Sequence, residues 1–191
     1  REPGEDAAVV PTLISLATDQ TDNQSVRQQA LSTLARLPGG TGIAPLIKLA
    51  DDAQGGWVAR TALSVIAESG DPRARDYLRG VVRSAALPDD ALAAAVRSFG
   101  QEYATAADIK TIRDAWPKFT GERTQGAAIS ASAQFGGTEN VQWLLAQSHD
   151  MATTSNIRRR ALDGATQAGA RTAPVRQDHR PAVEIGSDRG P

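Results

Sequence analysis

Arginine is the residue type with the most chemistry to offer in this 191-residue chain. It supplies 18 of the 21 basic residues, against only three lysines, Lys48, Lys110 and Lys118. A guanidinium presents a planar fork of donors that matches a carboxylate or a phosphate. Arg158, Arg159 and Arg160 stand in a row, and Arg27, Arg60 and Arg97 precede them along the chain. The triplet reads as a solvated face or as an anchor for an acidic patch on a protein partner. The net charge is −1, so the strong positive field that nucleic acid requires is lacking and no nucleic-acid partner is expected. Arginine in place of lysine also fits GC-rich codon usage, and the chain is read as bacterial.

Other catalytic or ligating groups are sparse. The two histidines, His149 and His179, are far apart, and there is no cysteine. A zinc or iron site needs three or four convergent ligands, so no metal and no cofactor is expected. Gly39-Gly40 and Gly55-Gly56 lack the lysine of a phosphate-binding loop, and no Gly-x-Ser-x-Gly elbow occurs. No catalytic residue is assigned. Asp51-Asp52 reads as a solvated pair in a loop after a helix. Trp116 and Trp143 read as packing wedges, whereas Trp57, beside Gly55-Gly56, is expected to be exposed and to contact a partner. No apolar run approaches the roughly 18 residues that cross a bilayer, although a complex containing the chain could be membrane-bound. The missing cysteines and the absence of an initial methionine lean the localisation towards a bacterial periplasm or the periphery of a membrane complex.

These side chains must be held by a repeat. Ala30, Ala62, Ala95, Ala128 and Ala161 recur at spacings of 32, 33, 33 and 33. Each is followed by a large apolar residue, Leu31, Leu63, Val96, Ile129 and Leu162, and preceded four residues earlier by Val26, Val58, Ala91, Thr124 and Ile157. Counting from the alanine, positions −4, 0, +1 and +4 fall on one stripe of an α-helix and are expected to face inward. A second helix precedes each stripe, over 8–18, 43–50, 73–83, 107–116 and 140–147, with anchors Leu13, Leu46, Leu78, Ile112 and Leu144. A period of this size means stacked copies of one unit, here a first helix A, a loop and a second helix B. Glycines 39, 40, 70, 100, 136 and 169 follow the stripes and are read as helix stops. Asp71-Pro72 reads as an N-cap and first helical residue, and Pro11 as part of the first turn of the opening helix.

The segments Val58-Ala-Arg-Thr-Ala-Leu-Ser-Val-Ile-Ala-Glu-Ser-Gly-Asp-Pro-Arg-Ala, continuing to Leu78, and Gln24-Ser-Val-Arg-Gln-Gln-Ala-Leu-Ser-Thr-Leu-Ala resemble HEAT-like repeats, in particular the short variety of bilin lyases. The resemblance implies an all-α, right-handed α-solenoid of about five antiparallel helix pairs, with the B helices on the concave side. It implies a non-catalytic protein–protein interaction scaffold, an accessory or structural subunit within a larger complex of one or more proteins. A tetrapyrrole- or bilin-binding lyase or chaperone is the alternative, and a nucleic-acid-binding HEAT-like protein the second. The di-iron hydroxylases on this scaffold need His-Glu pairs that this chain lacks. Against nucleic acid, the concave series at +6 is mixed: Arg36, Glu68, Gln101, Gln134 and Gln167.

The domain reading is an N-terminal extension over 1–6, the solenoid over 7–169 and an extended tail over 170–191. Val175, Val183 and Ile185 are expected to pin that tail to a partner surface, alongside Arg158, Arg159, Arg160 and Trp57, with the exposed end of the fifth repeat as the alternative seat of the tail. The last two repeats depart from the pattern. Ser132 and Ala165 replace bulkier inward residues, and Gly126 and Gly164 lie within B helices, each costing about 1 kcal/mol in helix propensity. The last two repeats are therefore expected to be less stable than the first three, through drift near a chain end or, alternatively, because something packs closely against the smooth face there.

Overall fold

The B helices begin where an N-cap, a glycine or a proline lets the chain reverse, and the alanine-centred stripe of each then pulls it onto the helix before it. The computed structural model describes residues 3–53 and 55–172. Among these residues there are ten α-helices and no strand. The A helices are α1 (Pro3–Thr18), α3 (Ile43–Ala53), α5 (Pro72–Ser84), α7 (Ala106–Ala115) and α9 (Thr138–His149). The B helices are α2 (Gln24–Ala35), α4 (Gly56–Glu68), α6 (Asp89–Glu102), α8 (Glu122–Phe135) and α10 (Ser155–Thr172). This is the all-α solenoid of five helix pairs that the repeat predicts.

Caps set several of the boundaries. The Asn23 side chain accepts from the Ser25 N–H at the start of α2. Asp71 accepts from the Arg73 N–H ahead of Pro72, and Thr105 caps α7 at the Asp108 N–H. Gly39, Gly40, Gly70 and Gly136 adopt positive φ, as helix stops require. Gly100 does not, because α6 runs on to Glu102. A Cβ on Gly100 would lie 2.7 Å from the Ala131 Cβ, so that glycine lets α8 approach α6. Gly169 likewise lies within α10, which continues to Thr172. Pro11 lies inside α1 rather than in its first turn, because the helix already starts at Pro3.

The five register alanines are all buried, at 3% exposure or less. So are the A-helix anchors, from Leu46 at 0% to Leu13 at 9%. The −4 and +1 positions meet between consecutive B helices, which explains two departures. Val26 is 44% exposed and Leu162 is 51% exposed. Both were expected inward. Among the described residues α2 has no B helix before it and α10 none after it, so the −4 edge of the stripe stays uncovered on α2 and the +1 edge on α10, while Leu31 and Ile157 on the opposite edges are buried.

Successive B helices pack directly on one another from α2 to α10, whereas among the A helices substantial packing is confined to α3 with α5 and α5 with α7. The B row is therefore the tighter, inner row. Helix faces that pack at about 8–10 Å bring its polar side chains onto one continuous concave surface.

Candidate functional site

Each B helix has a third face, turned neither to its A partner nor to its B neighbours. On that face the sequence places arginine in four consecutive B helices: Arg60 on α4, Arg97 on α6, Arg123 on α8 and Arg160 on α10. They surround one open groove of about 490 Å³. Its floor is made of small residues, Ala93, Gly126 and Ala127, with the Ser130 hydroxyl at one side. Its acid is Asp90, which is already engaged. Asp90 accepts from Arg60 Nη1 at 2.7 Å and from the Gly56 N–H at 3.0 Å. Burial pushes its carboxyl up, but hydrogen bonds from Arg60, Gly56 and Ala91 outweigh this and hold it below the ordinary value.

The other three arginines are exposed and form no ion pair among the described residues. Arg160 is nevertheless positioned. Its guanidinium lies over Gly126, where a Cβ would come within 2.3 Å of Nη1 and 2.8 Å of Cζ. The interior glycine of α8 is thus the seat of an arginine from α10. Nearby, Glu122 is held below the usual carboxylate range by hydrogen bonds with Thr154 and Asn156, with a further contribution from the Arg160 charge. A smaller depression of about 250 Å³ between α8 and α10 shares Ser130 and Arg160 and adds Asp163 and Gln167, so it extends the groove. Its floor includes Gly164, whose missing side chain lets α10 settle on α8: a Cβ there would lie 3.2 Å from the Ala133 Cβ.

The N-terminal half of the same surface differs. A depression of about 480 Å³ between α2 and α4 is lined by Arg36 but also by Glu68 and Asp71. The Asp71 carboxyl is lowered to about 2, chiefly by the Arg73 side chain and then by the Arg73 N–H. Positive character is therefore confined to the segment from α4 to α10.

The residues singled out from sequence divide. Arg160 reaches the groove. Arg158 instead donates to the Thr153 carbonyl at the start of α10, and Arg159 is exposed outside the groove lining. Trp57 is half-buried against the core, with the Arg27 guanidinium 4.7 Å from its ring centroid, so it is not a free contact. Trp116 and Trp143 pack edge to face at 5.2 Å. Asp51 and Asp52 lie in the last turn of α3 rather than in a loop. Asp51 accepts from the Tyr77 hydroxyl at 2.7 Å and Asp52 pairs with Lys48 at 2.6 Å. His149 is exposed at the end of α9. Val175, Val183, Ile185 and His179 lie outside the described residues. Arg123 and Asp90 escaped sequence reasoning. The signal was present as arginine on the polar side of successive B helices, but at shifting offsets from the register alanine.

Across the stack from the groove, Asp108 is fully buried and accepts from Arg75, Arg79 and Thr105. This cluster ties α5 to α7. Among the described residues no group of His, Cys, Asp and Glu could hold a metal ion, and no helix is long and apolar enough to cross a membrane.

Residues 10–98, from α1 to α6, match a family model described as HEAT repeats. The later pairs continue the same register through the buried Ala128 and Ala161. No curated protein matches the chain.

Proposed function

For a HEAT-repeat protein with this groove, we propose a non-catalytic interaction scaffold, an accessory or structural subunit that holds an acidic segment of a partner protein along α4, α6, α8 and α10. One observation carries the proposal: four arginines from four consecutive B helices line one open groove, and three of them form no salt bridge among the described residues. Guanidiniums stay protonated and donate only, so they bind anions and do not move protons. The remaining polar groups are a carboxylate already spent on Arg60 and one hydroxyl, which supports binding rather than chemistry. Three gaps between helices spaced by about 8–10 Å span roughly 25–30 Å. About eight residues of extended peptide, at about 3.3 Å each, cover that length. The small-residue floor lets a peptide backbone come close. Mixed charge between α2 and α4 works against a long polyanion, which would need a continuous positive track.

The test is affinity capture from the native source with the wild-type chain and the charge-reversed variant R97E/R123E, followed by cross-linking to find the contact segment. Both substitutions are at exposed positions, so the fold should survive. The proposal expects a protein retained by the wild type and lost by the variant, cross-linked through an acidic stretch. Retention of the same proteins by both would refute it.

A further inference from the structure

We infer that Arg97, Arg123 and Arg160 form a subsite for one phosphorylated side chain within that acidic segment, an inference that rests on the scaffold reading above. Arg60 is neutralised by Asp90 at 2.7 Å, and Asp89 is taken up by Thr124 and by the backbone N–H groups of Arg123 and Thr124. Glu122 is hydrogen-bonded to Asn156 and offsets part of the Arg160 charge, and Asp163 lines the adjoining depression rather than the main groove. Three guanidiniums therefore surround one depression with a charge excess that a single carboxylate does not match. A phosphoryl group carries close to two negative charges and three acceptor oxygens, and it can accept from more than one guanidinium fork at once.

The second observation is the seat beneath Arg160. The smallest residue stands where a methyl group would collide with the guanidinium, inside a helix where glycine is otherwise costly. Removing the side chain at 126 leaves room for the guanidinium of Arg160 beside Arg123 on α8. Gly126 is thus a positioning residue for the subsite. The groove lining also contains no aromatic ring, and stacking platforms are what single-stranded nucleic acid uses to supplement phosphate contacts. The observations favour a phosphopeptide.

The experiment uses fluorescence anisotropy with fluorescein-labelled octapeptides of Glu and Gly whose central residue is Ser, Glu or phosphoserine. The proteins are wild type, R123Q and G126A, with thermal melts to show that each is folded. We expect the phosphoserine peptide to bind wild type about tenfold or more tightly than the Glu peptide, as several added charge-assisted hydrogen bonds imply. In R123Q and G126A that advantage should fall to about threefold or less. Equal affinity for the Glu and phosphoserine peptides would overturn the subsite and leave the acidic-segment reading standing. Failure of wild type to bind any of the peptides would overturn both. A labelled DNA octanucleotide that outcompetes the phosphoserine peptide would overturn the inference in favour of a phosphodiester backbone.

Discussion

Replacing Gly126 by alanine separates two roles that an interior helix glycine can have. If the glycine only weakens α8, alanine restores helix propensity and nothing else changes. If it makes room for another backbone, alanine forces two helices apart. The geometry gives a third outcome. The atoms within 3.1 Å of the added Cβ all belong to the Arg160 guanidinium, the far end of an exposed and flexible side chain. That end can swing away at little cost. G126A should therefore gain most of the Gly-to-Ala propensity difference, about 0.5–1 kcal/mol, while displacing Arg160 from its seat.

Gly100 supplies the control. Its added Cβ would lie 2.7 Å from the Ala131 Cβ and 3.5 Å from Ile112 Cδ1. A normal carbon–carbon contact is about 3.5–4.0 Å, so α6 and α8 must separate by about 1 Å. Overpacking of this kind costs about 1–3 kcal/mol, and the propensity gain offsets only part of it. G100A should therefore come out destabilised by about 1–2 kcal/mol. For a chain of this size about 1 kcal/mol moves Tm by about 2–4 °C, so the two variants should melt on opposite sides of wild type by circular dichroism. If G126A loses as much as G100A, the glycine serves helix packing, and the seat argument for Arg160 is wrong.

Three further outcomes are expected. Leu63 is fully buried at a +1 position, so L63A should cost about 2–5 kcal/mol in urea unfolding; an unchanged midpoint would show the inward register to be misplaced. D90N removes the acid that neutralises Arg60, so a Glu-rich labelled peptide should bind more tightly and its affinity should fall more steeply with salt; weaker binding would mean that Asp90 itself contacts the peptide. Burial raises the Asp108 carboxyl, but hydrogen bonds from Thr105, Arg75 and Arg79 outweigh it and hold the group below its ordinary value. Its stabilisation should be fully present above about pH 4 and vanish as pH falls through the lowered value. The difference in urea midpoint between wild type and D108N, worth about 1–3 kcal/mol at pH 7, should therefore close in acid.

The helix pairs were legible because one inward stripe recurs at a nearly constant interval, and burial of the alanine at its centre leaves no other register for the large residue that follows. What the stripe could not show is whether a neighbour exists to cover it. Val26 and Leu162 carry the same residue types as Val58 and Leu63, yet they differ in exposure because coverage depends on the adjacent helix and not on the helix itself. Gly100, read as a helix stop, was misjudged for a related reason, whereas Gly126 does lie within its B helix. Within one helix, Gly100 and Gly126 look alike. Only the neighbouring helix shows that one admits a methyl group of Ala131 and the other a guanidinium of Arg160. The triplet Arg158–Arg160 pointed to the right helix. Successive residues on a helix diverge by about 100°, so only one of the three faces the groove.

The position of the groove follows from the same alternation of size along the B row. Two residues before the register alanine stand Gln28 on α2, Arg60 on α4, Ala93 on α6, Gly126 on α8 and Arg159 on α10. Where that position is small, on α6 and α8, the helix surface is low, and arginines from neighbouring positions border the depression: Arg97 four residues on in α6, Arg123 three residues earlier in α8, and Arg160 from the next helix. The depression between α2 and α4 lies further along the helices, where the acids Glu68 and Asp71 offset Arg36. Positive charge is thus concentrated not by an excess of arginine, since the chain is close to neutral, but by the removal of side-chain volume beneath a few of them. That arrangement favours a short, highly charged ligand over a long uniform one, because the low floor extends over only two helices.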